Sequence, residues 1–228
     1  MRERRNQSEI ETELKIKLSI GDMEKVFQTL SKMSSASEIN HKFLPRMYYD
    51  TPDLQLHNRK ISLRVQYRSG KAGQLGGYEQ TVKFALSPAA ALGQGVLFRK
   101  ECKNILDGHT PDLAAVTDRE AQGVIKSFKN KTLVPIFTAA IERRAFDWKL
   151  KHGKKTGVVE IAFDAGKIIL LKDNKHSNFT EIELEIKQGG AEFIDIVRAK
   201  ILSIAPSARI QRLSKSEQGI AFYLKHKK

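Results

Sequence analysis

From residue 9 to residue 18 the chain alternates strictly in character. Glu9, Glu11, Glu13, Lys15 and Lys17 fall on one side, and Ile10, Leu14, Ile16 and Leu18 on the other. A period of two is the signature of a β-strand with chemically different faces. The same pattern recurs at Ile61, Leu63, Val65 and Tyr67 against Ser62, Arg64, Gln66 and Arg68, and at Val82 and Phe84 against Thr81 and Lys83. Leu97, Arg99, Glu101 and Lys103 share one face of a further run. Other runs carry Ile141 and Arg143, then Glu160, Ala162 and Asp164, then Glu181, Glu183, Glu185 and Lys187 against Ile182, Leu184 and Ile186. Seven or eight strands are predicted. Helical stripes are fewer. Val26, Phe27, Leu30 and Met33 mark one over 22–33, and Phe193, Ile196, Val197 and Ile201 mark another over 191–205, stopped by Pro206. Thr110-Pro111 reads as a cap and a first-position proline opening a helix over 110–129, and Ser214 caps a last one over 214–224. Segments 70–77 and 151–157, rich in glycine and lysine, read as hairpin loops. The pattern is that of an α+β fold with an antiparallel sheet covered by a few helices.

No linker interrupts this pattern, so one domain is expected over residues 1–228, with a core of about 9–224 and basic tails at 1–8 and 225–228. Lys and Arg number 40 against 26 Asp and Glu, and the resulting net charge of +14 points to an anionic partner. The single cysteine, Cys102, excludes an internal disulfide, and alternation places it with the small buried apolar groups. The first residues lack the apolar run of a secretory signal, and the longest aliphatic stretch, 168–171, is far short of the roughly 20 residues of a membrane helix. A soluble, cytoplasmic protein is expected. No glycine-lysine-hydroxyl phosphate loop is present, the histidines lack metal-ligand spacing, and Trp148, Phe146 and Tyr67 do not form a stacking platform for single strands. Asp50-Thr51-Pro52-Asp53 reads first as a turn.

Two strands carry carboxylates in ladders: Glu9, Glu11 and Glu13 early in the chain, and Glu181, Glu183 and Glu185 late in it. Like charges about 7 Å apart on one strand face repel, and such ladders call for a compensating cation. Oxygen-only ligands of this kind suit Mg²⁺ or Mn²⁺. Other strands offer Lys15, Arg64, Lys83, Arg99 and Arg143 at equivalent alternate positions. Arginine forks and lysine ammonium groups bind phosphate oxygens. A solvated sheet face explains any one of these strands; their conjunction points to faces that converge. Convergence gives a barrel with a charged interior and an apolar exterior, holding metal on an acidic side and a polyanion on a basic side. That is a layout for metal-assisted phosphoryl transfer.

The residues also resemble a known family. Glu11-Thr12-Glu13-Leu14-Lys15 is similar to the Glu-x-Glu-x-Lys signature that opens CYTH domains, also called triphosphate tunnel metalloenzymes. The likeness continues in order through Tyr48 to Asp53, Leu63-Arg64-Val65, Thr81-Val82-Lys83, Arg99-Lys100-Glu101, Arg143, Glu160 to Asp164, Glu181 to Glu185 and Leu213-Ser214-Lys215. It is nearest the bacterial inorganic-triphosphatase branch. The resemblance implies a closed eight-stranded antiparallel β-barrel, a triphosphate tunnel with a charged interior and flanking helices. By motif position it implies metal ligands at Glu11, Glu13, Glu181, Glu183 and Glu185. It places substrate on Lys15, Arg64, Lys83, Arg99, Arg143 and Lys215. Lys83, Glu101 and Asp164 would be catalytic, the two carboxylates helping to place the attacking water. Mg²⁺- or Mn²⁺-dependent hydrolysis of a triphosphate, inorganic triphosphate first, is the expected activity. Adenylate cyclisation, thiamine triphosphate hydrolysis and non-catalytic binding of polyphosphate or RNA are the alternatives. The expected partner is a small polyanion, a triphosphate or nucleoside triphosphate; no membrane is expected, nucleic acid is disfavoured, and a homodimer stays open. Two positions depart from the family pattern: Gln66 stands where a second arginine is usual, and Gln218 where arginine precedes glycine. Both remove a cation, which implies weaker binding of the most highly charged substrates.

Overall fold

The computed structural model describes residues 7–34, 38–68, 76–86 and 95–227. The tail residues 1–6 and 228, and nearly all of the expected loop at 70–77, lie outside these. The described residues form nine strands: β1 (Gln7–Lys17), β2 (Asn40–Asp50), β3 (Ile61–Arg68), β4 (Gly77–Ala85), β5 (Leu97–Leu106), β6 (Val134–His152), β7 (Lys155–Leu170), β8 (His176–Gln188) and the short β9 (Arg209–Ile210). Their order is β5-β4-β3-β2-β6-β7-β8-β1-β9, and β5 also pairs with β1. That last pairing closes eight strands into an antiparallel barrel. β1 makes the closure because its two halves have different neighbours: Gln7 to Glu13 pair with β5, and Glu13 to Lys17 pair with β8. Closure removes free sheet edges and gives every strand one inner and one outer face.

The outer faces bury their apolar residues under helices. Leu14, Ile16, Val159, Ile161, Phe163, Ile182 and Leu184 pack beneath α1 (Ile20–Met33) and α4 (Glu192–Ile204). Ile61, Leu63, Val82, Phe84 and Cys102 pack beneath α2 (Gln55–Asn58) and α3 (Arg119–Ile125), so the cysteine is buried as expected. Asp50 ties β2 to α2: its carboxylate accepts from the backbone of Thr51, Leu56 and His57 at 2.7, 2.8 and 2.9 Å. The turn expected at Asp50–Asp53 is therefore a structural cap. Among the described residues, no helix is long and apolar enough to cross a membrane.

Three sequence expectations are corrected. β2 was absent from the alternation because Pro45 breaks it and the aromatic-Asp-Thr-Pro run reads as a turn; Pro45 nevertheless sits in register opposite Ala140. The helix expected over 110–129 is two 3-10 turns flanking the seven-residue α3, which Asp118 caps through Ala121. Gln80 holds the Asp112 backbone through both of its amide atoms, at 2.5 and 2.9 Å; Asp112 caps the first 3-10 turn, which ends where Val116 turns extended. Finally, the interior is not charged throughout. The face of β6 and β7 that carries Arg143 and Asp164 turns apolar further along, at Phe137, Ala139, Ile141, Ile168 and Leu170. This stretch packs with Tyr48 and with Ile220 of α5 (Lys215–His226).

Gly219 is what lets α5 sit so close to β6. A Cβ there would fall against the Phe137 ring. Gly219→Ala gains up to about 1 kcal/mol of helix propensity, but overpacking costs about 1–3 kcal/mol. The variant should therefore melt below the wild type in thermal denaturation. An unchanged or higher melting temperature would contradict this packing.

Candidate functional site

The inner face encloses a cavity of about 720 Å³. β1 contributes Glu9, Glu11, Glu13 and Lys15, β3 Arg64 and Gln66, β4 Glu79 and Lys83, and β5 Arg99, Glu101 and Lys103. Arg46 and Tyr48 come from β2, Arg143 from β6, Glu160 from β7, and Glu183 and Glu185 from β8. Lys215 enters from the first turn of α5. It is aimed by a complete capping box, in which the Ser214 hydroxyl accepts from Glu217 N and the Glu217 carboxylate accepts from Ser214 N.

The charges pair across the cavity. Lys83 reaches Glu11 at 2.6 Å and Glu101 at 3.4 Å, and Arg64 donates to Glu101 at 3.0 Å. Lys15 lies between Glu13 at 2.7 Å and Glu183 at 2.9 Å, and Arg99 also pairs with Glu13. Arg143 meets Asp164, its register partner on β7, at 2.6 Å and also contacts Glu183. Lys215 touches three carboxylates, Asp164 and Glu181 at 2.6 Å and Glu183 at 2.9 Å. Lys15, Arg64, Lys83, Arg99, Arg143 and Lys215 are thus each paired with a carboxylate. Among the described residues, the buried Nε of Arg64 and of Arg99 are guanidinium donors that have no hydrogen-bond partner.

Burial and pairing pull the acids apart. Burial pushes Glu11 up to about 7, with a hydrogen bond to Glu101 adding to the rise and Lys83 opposing it. Glu101 goes the other way: against its burial, Lys83 and Arg64 hold it far below the usual carboxylate range. Glu13 is held low by Lys15 and Arg99, and Asp164 and Glu183 by their lysine and arginine partners, in each case against burial.

Carboxylate oxygens gather in two places, Glu9 with Glu11 and Glu101, and Asp164 with Glu181 and Glu183. Hard oxygen donors from three residues at each place fit Mg²⁺ or Mn²⁺. The expected metal set is therefore divided. Glu11 lies in the first group, and Glu181 and Glu183 in the second. Glu13 is instead clamped by Lys15 and Arg99, and Glu185 pairs with Lys187 at 2.7 Å. Glu101 and Asp164, expected beside the water, join the two groups. The six expected substrate residues Lys15, Arg64, Lys83, Arg99, Arg143 and Lys215 all line one cavity. Gln66 also faces inward, and Gln218 Nε2 donates to Glu181 at 3.1 Å. The sequence reading missed Arg46 and Tyr48, which lie on the strand it did not find. Leu44, Arg46 and Tyr48 do alternate across Pro45, and that alternation was the available signal.

The fold and the charged interior define a class. The family model for the CYTH domain matches residues 9–220, and the chain belongs to the CYTH domain family. An inorganic triphosphatase from Haemophilus influenzae is 28% identical over 187 residues, covering 81% of this chain and 46% of that protein. The chain thus spans about half the length of the curated relative it matches. A solved structure from Hippeastrum, a candidate adenylyl cyclase described as revealing a dominant triphosphatase activity, is 15% identical. It aligns with a TM-score of 0.57, over 94% of this chain and 95% of its own. A candidate adenylate cyclase from Bacillus halodurans is 17% identical, with a TM-score of 0.55 over 92% and 97% of the two chains. At these identities the two structures share the fold with this chain.

The Lys215 cluster yields a test with a definite sign. Breaking a buried ion pair costs about 3–5 kcal/mol, and Lys215→Met leaves Asp164 to Arg143, Glu183 to Arg143 and Lys15, and Glu181 without its lysine. Asp164 and Glu183 titrate below their unfolded values, so their contribution to stability is present above the unfolded pKa of about 4 and is lost as pH falls through the folded one. The melting-temperature deficit of Lys215→Met should be large from pH 7 down to about pH 4 and should shrink as pH falls further, through the depressed folded values. A deficit that stays the same below pH 4 would show that Lys215 acts by packing.

Proposed function

We propose that this chain hydrolyses triphosphates inside the barrel, inorganic triphosphate first, with a divalent cation held by the interior carboxylates. The observation that carries the reading is the pair of unpartnered guanidinium donors. Arg64 and Arg99 approach the cavity from neighbouring regions of the wall, each with a buried Nε that lacks an acceptor. A buried donor without an acceptor is costly, and a phosphate oxygen supplies the acceptor. Membership in the CYTH family and the likeness to an inorganic triphosphatase support the same reading.

In this reading Lys15, Arg64, Lys83, Arg99, Arg143 and Lys215 hold the polyanion. Each now leans on a carboxylate, and each exchanges that partner for a phosphate oxygen when substrate enters. Glu11, Glu181 and Glu183, with Glu13 and Glu185 at the margins of the acidic groups, are the proposed Mg²⁺ or Mn²⁺ ligands; such an ion supplies charge neutralisation at the phosphoryl oxygens. Lys83 lies between Glu11 and Glu101 and can turn its ammonium group onto the transferring phosphoryl group. Glu101 and Asp164, held ionised by their cationic neighbours, accept a hydrogen bond from the attacking water and orient it.

Phosphate release from inorganic triphosphate, ATP, thiamine triphosphate and longer polyphosphate, with and without EDTA, tests the proposal. Inorganic triphosphate should be the fastest substrate, and chromatography of the ATP reaction should show no cyclic nucleotide. Cyclic product or metal-independent turnover would overturn it. Glu11→Gln and Glu183→Gln should each lose metal-dependent turnover while circular dichroism shows the fold retained. Full activity in both would remove the metal assignment.

A further inference from the structure

Arg46 is a cation that the ion-pair network leaves out. It is 7% exposed and lines the cavity, yet among the described residues it forms no ion pair. Lys15, Arg64, Lys83, Arg99, Arg143 and Lys215 each touch at least one carboxylate. Among the described residues its one hydrogen bond runs from Nε to Oε1 of Gln66 at 3.1 Å, which leaves both terminal nitrogens of the fork uncommitted there. Its charged surroundings make this more costly. Burial, then Arg64 and Arg143, disfavour its charge and draw it down to about 10, with Tyr48 and more weakly Asp164 opposing. At pH 7 it is still a cation, so β3, β2 and β6 present three neighbouring guanidinium groups, and the middle one has no anion. A buried charge of this kind is tolerated where a ligand completes it.

Gln66 fits that arrangement. It is the direct register partner of Arg46 across β2 and β3. Its Oε1 accepts from Arg46, and its Nε2 donates to Glu79 at 3.2 Å, while Glu79 takes Arg68 at 2.6 Å. The amide therefore holds the Arg46 fork in place and keeps it apart from the Glu79 carboxylate that would otherwise neutralise it. An arginine at position 66 would take Glu79 for itself and repel Arg46. The positive charge missing from β3 at Gln66 is thus present one strand over.

We propose that Arg46 is a substrate-binding residue, its two free terminal nitrogens holding oxygens of one phosphate of a linear polyphosphate, and that Gln66 is its positioning residue. The proposal rests on the triphosphate reading of the cavity. Arg64 and Arg143 lie within electrostatic reach of Arg46, a positive field that suits a doubly charged terminal phosphate.

Binding of inorganic triphosphate, measured by calorimetry in EDTA, tests it. Arg46→Gln should weaken binding at least tenfold and flatten its salt dependence, while the melting temperature without ligand holds or rises because an uncompensated charge has gone. Arg46→Lys keeps the charge but loses the fork and should fall between the two. The double variant Arg46→Gln with Gln66→Arg, which returns the guanidinium to β3, should recover much of the affinity. A melting temperature that falls with affinity unchanged makes Arg46 structural and overturns the proposal. Wild-type binding that is lost in Arg64→Ala yet kept in both Arg46 variants overturns the Arg46 assignment alone. A wild-type chain that binds no triphosphate overturns this assignment and the triphosphate reading together.

Discussion

Buried charge must be compensated, and that constraint organises this molecule. A barrel that turned eight acidic and basic strand faces inward without pairing them would not close, since each isolated charge loses far more in leaving water than a strand pairing returns. The solution is alternation around the wall. Glu13 is set between Lys15 and Arg99, Glu101 between Lys83 and Arg64, and Asp164 between Arg143 and Lys215. Antiparallel register then becomes a chemical as well as a geometric quantity. Glu11 lies opposite Arg99, Lys15 opposite Glu183 and Arg143 opposite Asp164, so a slip of one residue would expose every pair.

In the proposed triphosphate reading, the same pairing makes the interior ready for a polyanion. Ion pairs in a closed wall hold the guanidinium and ammonium groups in place before substrate arrives, so little ordering is left for binding to impose. The carboxylates that neutralise them are the hard oxygen donors a divalent cation takes. Substrate and metal can then enter as complementary charges while the wall stays close to neutral. α5 extends the logic from outside the sheet: Gly219 lets it approach Phe137, and the Ser214–Glu217 box fixes the turn from which Lys215 reaches three acids.

Much of this was legible in the alternating sequence. The ladders at Glu9 to Lys15 and Glu181 to Lys187, and the cations Arg64, Lys83, Arg99 and Arg143, are set by a period of two that folding does not alter. What alternation could not give was which acid meets which base, because that depends on register between strands distant in sequence. Alternation thus put Glu13 among the acids without showing that it meets Lys15 and Arg99, and it did not show that Glu9 gathers with Glu11 and Glu101. β2 was hidden by Pro45 and by turn chemistry at its end, and with it went Arg46. The apolar end of the interior was also missed, since Phe137, Ile141 and Ile168 look the same whether a face turns in or out. The 110–129 helix failed for a local reason: the backbone turns extended at Val116 and again at the Asp118 cap.

The most direct measurement is a crystal structure of the chain grown with a non-hydrolysable imido analogue of triphosphate and MnCl₂, with anomalous data at the manganese edge. The phosphate chain should lie inside the barrel against Arg64 and Arg99, with an anomalous peak bound by at least one of the carboxylate groups around Glu11 and Glu183. Analogue bound only on the outer surface, or an interior whose lysine–carboxylate pairs are unchanged at saturating ligand, would contradict the account.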